Sequence, residues 1–240
     1  MARLRYLLLQ TRNSEDAMRR QEVGCFARAL ECDEVDVEVV ELLSRKPTAA
    51  ELDRADVVLL GGSGHYSAAG EGQWLDRALD AMRDLYHQDK PTFASCWGIQ
   101  AMARALGGRC IHDPAHAELG VIELRLTDAG RADPVFGSLP LVFGGQAGHE
   151  DHVVELPPDA VLLASSDSVC NQAFQFADKP IYCTQFHPEL DRAALLGRVR
   201  AYPEYVERIA GVPQEEFIRR CRETPEANGL LRAFVEHVFG

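Results

Sequence analysis

Cys96 lies where a short apolar run meets a helix-like stretch, in Pro91-Thr92-Phe93-Ala94-Ser95-Cys96-Trp97-Gly98-Ile99-Gln100. A sharp strand-to-helix turn holds the residue at its tip in a strained, exposed position. Gly98 and the small Ala94 leave room for such a bend. The helix that follows aims its dipole and its unpaired N–H groups at the sulfur, which favours the thiolate. The N–H of Trp97 is then free to hold an oxyanion. A second segment, Ile181-Tyr182-Cys183-Thr184-Gln185-Phe186-His187-Pro188-Glu189, runs as a strand into a histidine with a carboxylate two residues on. Residues two apart on a strand project to one side. Glu189 can therefore hold one imidazole nitrogen and leave the other to take the thiol proton. Alone, Cys96 reads equally well as a buried structural thiol, and a lone histidine before proline merely ends a strand. Together the two segments supply a nucleophile, a base and an orienting acid.

These groups need a scaffold that brings strand ends together. Leu4–Leu9, Val35–Leu42, Asp56–Leu60 and Pro91–Ser95 are short apolar runs bounded by turn residues, as expected of strands covered on both faces. Between them, Glu15–Leu30 and Glu71–His87 carry apolar residues at helical spacing. This alternation predicts an open, doubly wound, mostly parallel sheet in an α/β fold, with reactive groups gathered where strands end. The second half changes character. Gly120–Leu126, Leu141–Gly144, His152–Leu156, Val161–Ser165 and Ile181–Phe186 are strand candidates separated by proline-marked turns, which predicts an antiparallel extension at one edge. From Asp191 the pattern is helical. Thr224-Pro225 predicts an N-cap and first helical residue opening a last helix through Phe239. One domain over 1–240, with 190–240 as a helical C-terminal extension, is the simplest organisation.

Composition narrows the function classes. The 240 residues include 25 basic and 37 acidic ones, a net charge of -12, and such a surface repels phosphate backbones. With 46% hydrophobic and 26% charged residues a sizeable core is expected rather than disorder. The seven cysteines are odd in number and form no CxxC pair, against a disulfide framework or a zinc knuckle. The apolar run Tyr6–Leu9 is too short for a signal peptide or a membrane span. The expectation is a cytoplasmic protein with reduced thiols, no nucleic-acid partner and no membrane partner.

The string Ala94-Ser95-Cys96-Trp97-Gly98-Ile99-Gln100 resembles the Gly-x-Cys-x-Gly-x-Gln elbow of the class I (triad-type) glutamine amidotransferases, and His187-Pro188-Glu189 matches their second signature. Leu60-Gly61-Gly62-Ser63-Gly64 is similar to their glycine loop, and Gly148-His149-Glu150-Asp151 to their Ser-His-Gly-Asp segment. In detail the chain looks most like free-standing members related to the amidotransferase domain of GMP synthase, a group that includes γ-glutamyl peptidases. The resemblance implies a flavodoxin-like, three-layer α/β/α fold. It implies a Cys96, His187, Glu189 triad, an oxyanion hole from the Gly62 and Trp97 N–H groups, and substrate contacts at Gln100, His149 and Glu150. It implies attack on the side-chain amide of glutamine or a γ-glutamyl compound, with no metal or organic cofactor for that step. Two positions depart from the pattern. Ala94 stands in place of the first elbow glycine, and Glu150 brings a carboxylate to the amino-acid end of the substrate.

Neither a Ser-Gly-Gly-x-Asp-Ser pyrophosphatase loop nor a Walker A string occurs, and about 50 residues follow Glu189. The expectation is that a separate synthetase subunit receives the ammonia or that the protein acts alone as an amidase or peptidase. Three other readings compete. His149, Asp151 and His152, joined by His187 and Glu189, would suit a metal-dependent hydrolase. A related cysteine-elbow protease and chaperone family usually has histidine after the cysteine, where Trp97 stands here. A non-enzymatic regulatory module on the same fold would have no need of an intact Cys, His and Glu set.

Overall fold

Residues 3–240 are described by a computed structural model. In chain order the elements are β1 (Tyr6–Thr11), α1 (Met18–Ala29), β2 (Val37–Glu41), α2 (Ala49–Arg54), β3 (Val57–Ser63), α3 (Gln73–His87), β4 (Thr92–Ser95) and α4 (Trp97–Ala105). They continue as β5 (Arg109–His112), β6 (Glu118–Leu126), α5 (Asp128–Ala132), β7 (Val142–His149), β8 (Asp151–Glu155), β9 (Ala160–Ser165), β10 (Ala173–Phe176) and β11 (Ile181–Thr184). The chain ends with α6 (Arg192–Ala201), a π-helical turn (Val206–Ala210), α7 (Gln214–Arg220), α8 (Pro225–Asn228) and α9 (Leu230–Phe239).

Nine strands form one sheet in the order β2-β1-β3-β4-β11-β10-β9-β6-β7, and β5 pairs with β8 outside it. Strands β2, β1, β3, β4 and β11 run parallel, while the pairings from β11 to β7 are antiparallel. The flavodoxin-like α/β sheet with an antiparallel edge extension is therefore present. Alternate residues of each parallel strand feed opposite faces. Leu7, Leu9, Val58 and Leu60 pack with α3 and α4, whereas Leu8, Val57 and Leu59 pack with Phe26 of α1 and Phe234 of α9. That is why these strands read as unbroken apolar runs.

The structure departs from the sequence reading at several elements. Strands β5 and β10 are absent from the sequence reading, although β10 sits between β9 and β11. Helix α2 escapes notice despite a capping box, in which Thr48 Oγ1 accepts from the Glu51 N–H at 3.3 Å and Glu51 Oε2 accepts from the Thr48 N–H at 2.7 Å. The expected last helix is broken at Gly229. Thr224 precedes it without a capping bond, and its buried hydroxyl has no partner.

The elbow itself is a packing constraint. A Cβ placed on Gly98 would fall 2.8 Å from Leu60 Cβ and 3.0 Å from Ala94 Cβ, so α4 approaches β3 and β4 through a missing methyl. Gly98→Ala is expected to lower the urea midpoint by an amount corresponding to about 1–3 kcal/mol. Ala94→Gly combined with it should recover part of that loss, as denaturant unfolding of the single and double variants will show.

Candidate active site

Cys96 stands between the end of β4 and the start of α4, with φ 53° and ψ -105°. This is left-handed-side backbone that a non-glycine residue rarely adopts, and it costs about 1–3 kcal/mol. The Cys96 N–H donates to the Thr184 carbonyl at 2.8 Å, which ties the elbow to the end of the neighbouring β11. Trp97 heads α4, so its N–H is one of the first-turn donors without a partner inside the helix. The Cys96 sulfur lies 3.8 Å from the Gly148 carbonyl.

His187 arrives by a different local structure from the one its sequence implies. β11 ends at Thr184, and His187-Pro188-Glu189 forms a turn beyond it. The same-side argument for a strand therefore does not apply, yet His187 Nδ1 and Glu189 Oε1 are 2.6 Å apart. Backbone bonds set that turn: the His187 N–H donates to the Gln146 carbonyl at 2.8 Å, and Asn228 Nδ2 donates to the Pro188 and Leu190 carbonyls, both at 2.8 Å. Cys96, His187 and Glu189 are 7%, 3% and 1% exposed, so their charges interact through little water. Burial opposes the imidazolium, but Glu189 and the Cys96 sulfur outweigh it and lift His187 to about 9. Burial likewise opposes the Glu189 carboxylate, and His187 and Arg198 overcome it, holding that carboxyl below its usual range.

The glycine segment continues β3 rather than forming a free loop. Leu9 pairs with Leu60 but Thr11 pairs with Ser63, so Gly61 and Gly62 form an irregularity opposite Gln10. A Cβ on Gly62 would meet His187 Cε1 at 3.1 Å, Cys96 Sγ at 3.6 Å and His187 Nε2 at 3.7 Å. Thus Cys96, His187 and Gly62 meet at one point, and any side chain at position 62 would intrude between sulfur and imidazole.

A cavity of about 310 Å³ opens there, small-molecule sized. Gln100, His149 and Glu150 all line it, and each already has protein partners. Gln100 Nε2 donates to the Asp151 carbonyl at 2.7 Å and His149 Nε2 lies 3.0 Å from Glu118 Oε2, while His149 Nδ1 is buried without a partner. Glu150 accepts from Arg208 at 2.7 Å. Asp151 holds His112 Nδ1 at 2.8 Å and accepts from Ser67 Oγ. Among the described residues, no group of three or more His, Cys, Asp or Glu side chains is arranged to share an ion. This gives the metal-hydrolase reading no ligand set.

Sequence reasoning misses the groups around these. Arg12, Arg198, Tyr202 and Tyr205 also line the cavity. The Tyr205 O–H donates to the Gly64 carbonyl at 3.0 Å, and Arg208 stacks over the Tyr205 ring at 4.8 Å. No local motif announces them, because each reaches the site from an element distant in sequence. The remaining thiols differ in setting. Burial pushes Cys25 up to about 11, Cys110 to about 12 and Cys183 well above its ordinary value.

A strained cysteine at a strand–helix turn, facing a histidine oriented by a glutamate on an α/β sheet, defines the class of cysteine-elbow α/β hydrolytic proteins. Residues 22–194 match the glutamine amidotransferase class-I family, and the chain belongs to that family. It is 30% identical over 186 residues to γ-glutamyl peptidase 3 of Arabidopsis thaliana, covering 75% of this chain and 71% of that one. It is 29% identical over 143 residues to a glutamine-hydrolysing GMP synthase subunit of Thermoplasma acidophilum, covering 60% and 68%. A solved glutamine amidotransferase from Thermotoga maritima superposes with a TM-score of 0.79 at 20% identity, over 99% of this chain and 98% of that one, and supports the fold. The protein is thus an enzyme of the glutamine amidotransferase-like amidohydrolase type. Among the described residues no helix is long and apolar enough to cross a membrane.

The His187–Glu189 pair has a stability signature. The folded imidazolium is raised above its ordinary value, so its contribution is complete below about pH 6.5 and fades as pH rises through about 9. The melting-temperature gap between wild type and Glu189→Gln is expected to narrow on the alkaline side of that range. Calorimetry from about pH 6 to about pH 10 reads the trend.

Proposed function

We propose that this enzyme hydrolyses the γ-amide of glutamine or of a γ-glutamyl compound through a covalent γ-glutamyl thioester on Cys96. The observation that carries the reading is the meeting of the Cys96 sulfur and the His187 imidazole at Gly62, with Glu189 bonded to the far nitrogen of that ring. His187 Nε2 is the nitrogen left to take the thiol proton. The sulfur adds to the amide carbon, and the Gly62 and Trp97 N–H groups hold the oxyanion. Collapse of the tetrahedral adduct expels ammonia or an amine, which takes its proton from His187. Water then attacks the thioester, with His187 as base, and releases the γ-carboxylate and the free thiol. Gln100, His149 and Glu150 border the amino-acid end of the substrate. We read 1–240 as a single amidotransferase-like domain working in the cytoplasm.

Two fates for the released group remain within this chemistry. The GMP synthase relatives suggest ammonia handed to a partner synthetase, and the peptidase relatives suggest hydrolysis or γ-glutamyl transfer without one. A release assay across glutamine, glutathione and γ-glutamyl dipeptides, with and without acceptor amines, separates them. Cys96→Ala is expected to lose at least about 10³-fold in rate while keeping its fold. A diazo-ketone glutamine analogue should add to Cys96 as seen by mass spectrometry. Full activity in Cys96→Ala, or an adduct on another cysteine, would end the proposal.

A further inference from the structure

Beside the triad, and reaching the cavity wall through Arg12 and Arg198, lies a buried ionic cluster that the chemistry above leaves unused. Glu22 enters the interior from α1 with no exposure. Its Oε2 accepts from Gln10 Nε2 at 3.0 Å and from Arg12 Nε at 3.2 Å. Its Oε1 presses on the glycine segment, since a Cβ on Gly61 would fall 2.3 Å from it. Arg198 of α6 supplies a second cation. Its Nε donates to Gln21 Oε1 at 3.1 Å, and one terminal nitrogen stands 3.9 Å from both Glu22 Oε1 and Glu189 Oε1. That nitrogen is buried with no hydrogen-bond partner, and so is Glu189 Oε2. The guanidinium therefore sits at ion-pair distance from two buried carboxylates.

We propose that Arg198 is a positioning residue of the triad, bridging Glu189 to Glu22 so that the acid behind His187 and the glycine segment before Cys96 share one anchor. This rests on the triad reading given above. The other charges nearby are already matched. Arg12 is paired with Glu22 and, at 3.0 Å, with Asp16, which also accepts from the Tyr202 O–H at 2.7 Å. Asp191 pairs with Arg28 at 3.1 Å, and the neighbouring Cys25 is kept a neutral thiol by burial. What remains to act on Glu189, and through it on His187, is the Arg198 charge, opposed by Glu22. A cation there favours the Glu189 carboxylate and opposes a second cation on the His187 ring. Removing it raises the ionisations of Glu189 and His187, and removing the Glu22 charge lowers them.

The test is the pH dependence of Cys96 alkylation by iodoacetamide, read by mass spectrometry on the full chain, with kcat and KM measured beside it. Arg198→Met is expected to move the profile up by about one pH unit and to lower kcat more than it raises KM. Arg198→Lys should return the wild-type profile, and Glu22→Gln should move it down. An unchanged profile in Arg198→Met and Glu22→Gln, or a rise in KM alone, overturns the proposal. Should Arg198→Met fail to fold, Glu22→Gln decides: a downward displacement supports the bridge and an unmoved profile overturns it. A wild-type Cys96 that titrates as an isolated thiol would instead overturn the triad reading, and this inference with it.

Discussion

Holding Cys96 at φ 53° is the constraint that organises the rest of the molecule. A strained residue relaxes unless its neighbours over-determine it. Here the Cys96 N–H is fixed by the Thr184 carbonyl, and α4 is drawn against β3 and β4 by the missing side chain at Gly98. The departure from the family elbow becomes intelligible in the same terms. Ala94 carries a methyl where the pattern has none, and that methyl occupies the space a Gly98 Cβ would need. The crowded point between β4 and α4 accepts one methyl, and in this chain it belongs to Ala94.

The histidine side of the site obeys a different rule. His187 and Glu189 lie beyond the strand, so pleat alternation does not aim them. Their turn is fixed from outside by the Gln146 carbonyl of β7 and by the side chain of Asn228 at the end of α8. Gln146 in turn donates from Nε2 to the Arg222 carbonyl at 2.9 Å. The antiparallel extension and the C-terminal helices thus clamp the turn that carries His187, although neither carries Cys96, His187 or Glu189.

Much of this is legible in the sequence, for physical reasons that also explain what is not. Strands β1 and β3 are covered on both faces, so their burial is written as consecutive apolar residues. Cys96 and Gly98 can be read because a strand–helix elbow is a local event. The Glu22, Arg12 and Arg198 cluster cannot, because its members come from α1, the end of β1 and α6. A glutamate in an amphipathic helix pattern looks solvent-facing until a distant cation makes its burial tolerable. Gly61 reads as part of a loop supplying an N–H, whereas its lack of a side chain also makes room for the Glu22 carboxylate.

The same long-range logic bears on Glu150. From sequence, its carboxylate would either repel the carboxylate of a glutamine substrate or contact its ammonium. In the folded chain Arg208 donates to it at 2.7 Å, so it faces the cavity as half of an ion pair rather than as an isolated anion. Arg208 is placed by its stack on Tyr205, and Tyr205 is placed by its bond to the Gly64 carbonyl, two residues beyond Gly62. Tyr205 and the π-helical turn after it therefore link the glycine segment to the β7–β8 corner. A change in that turn would alter both the charge on the cavity wall at Glu150 and the wall formed by Tyr205, without touching Cys96, His187 or Glu189.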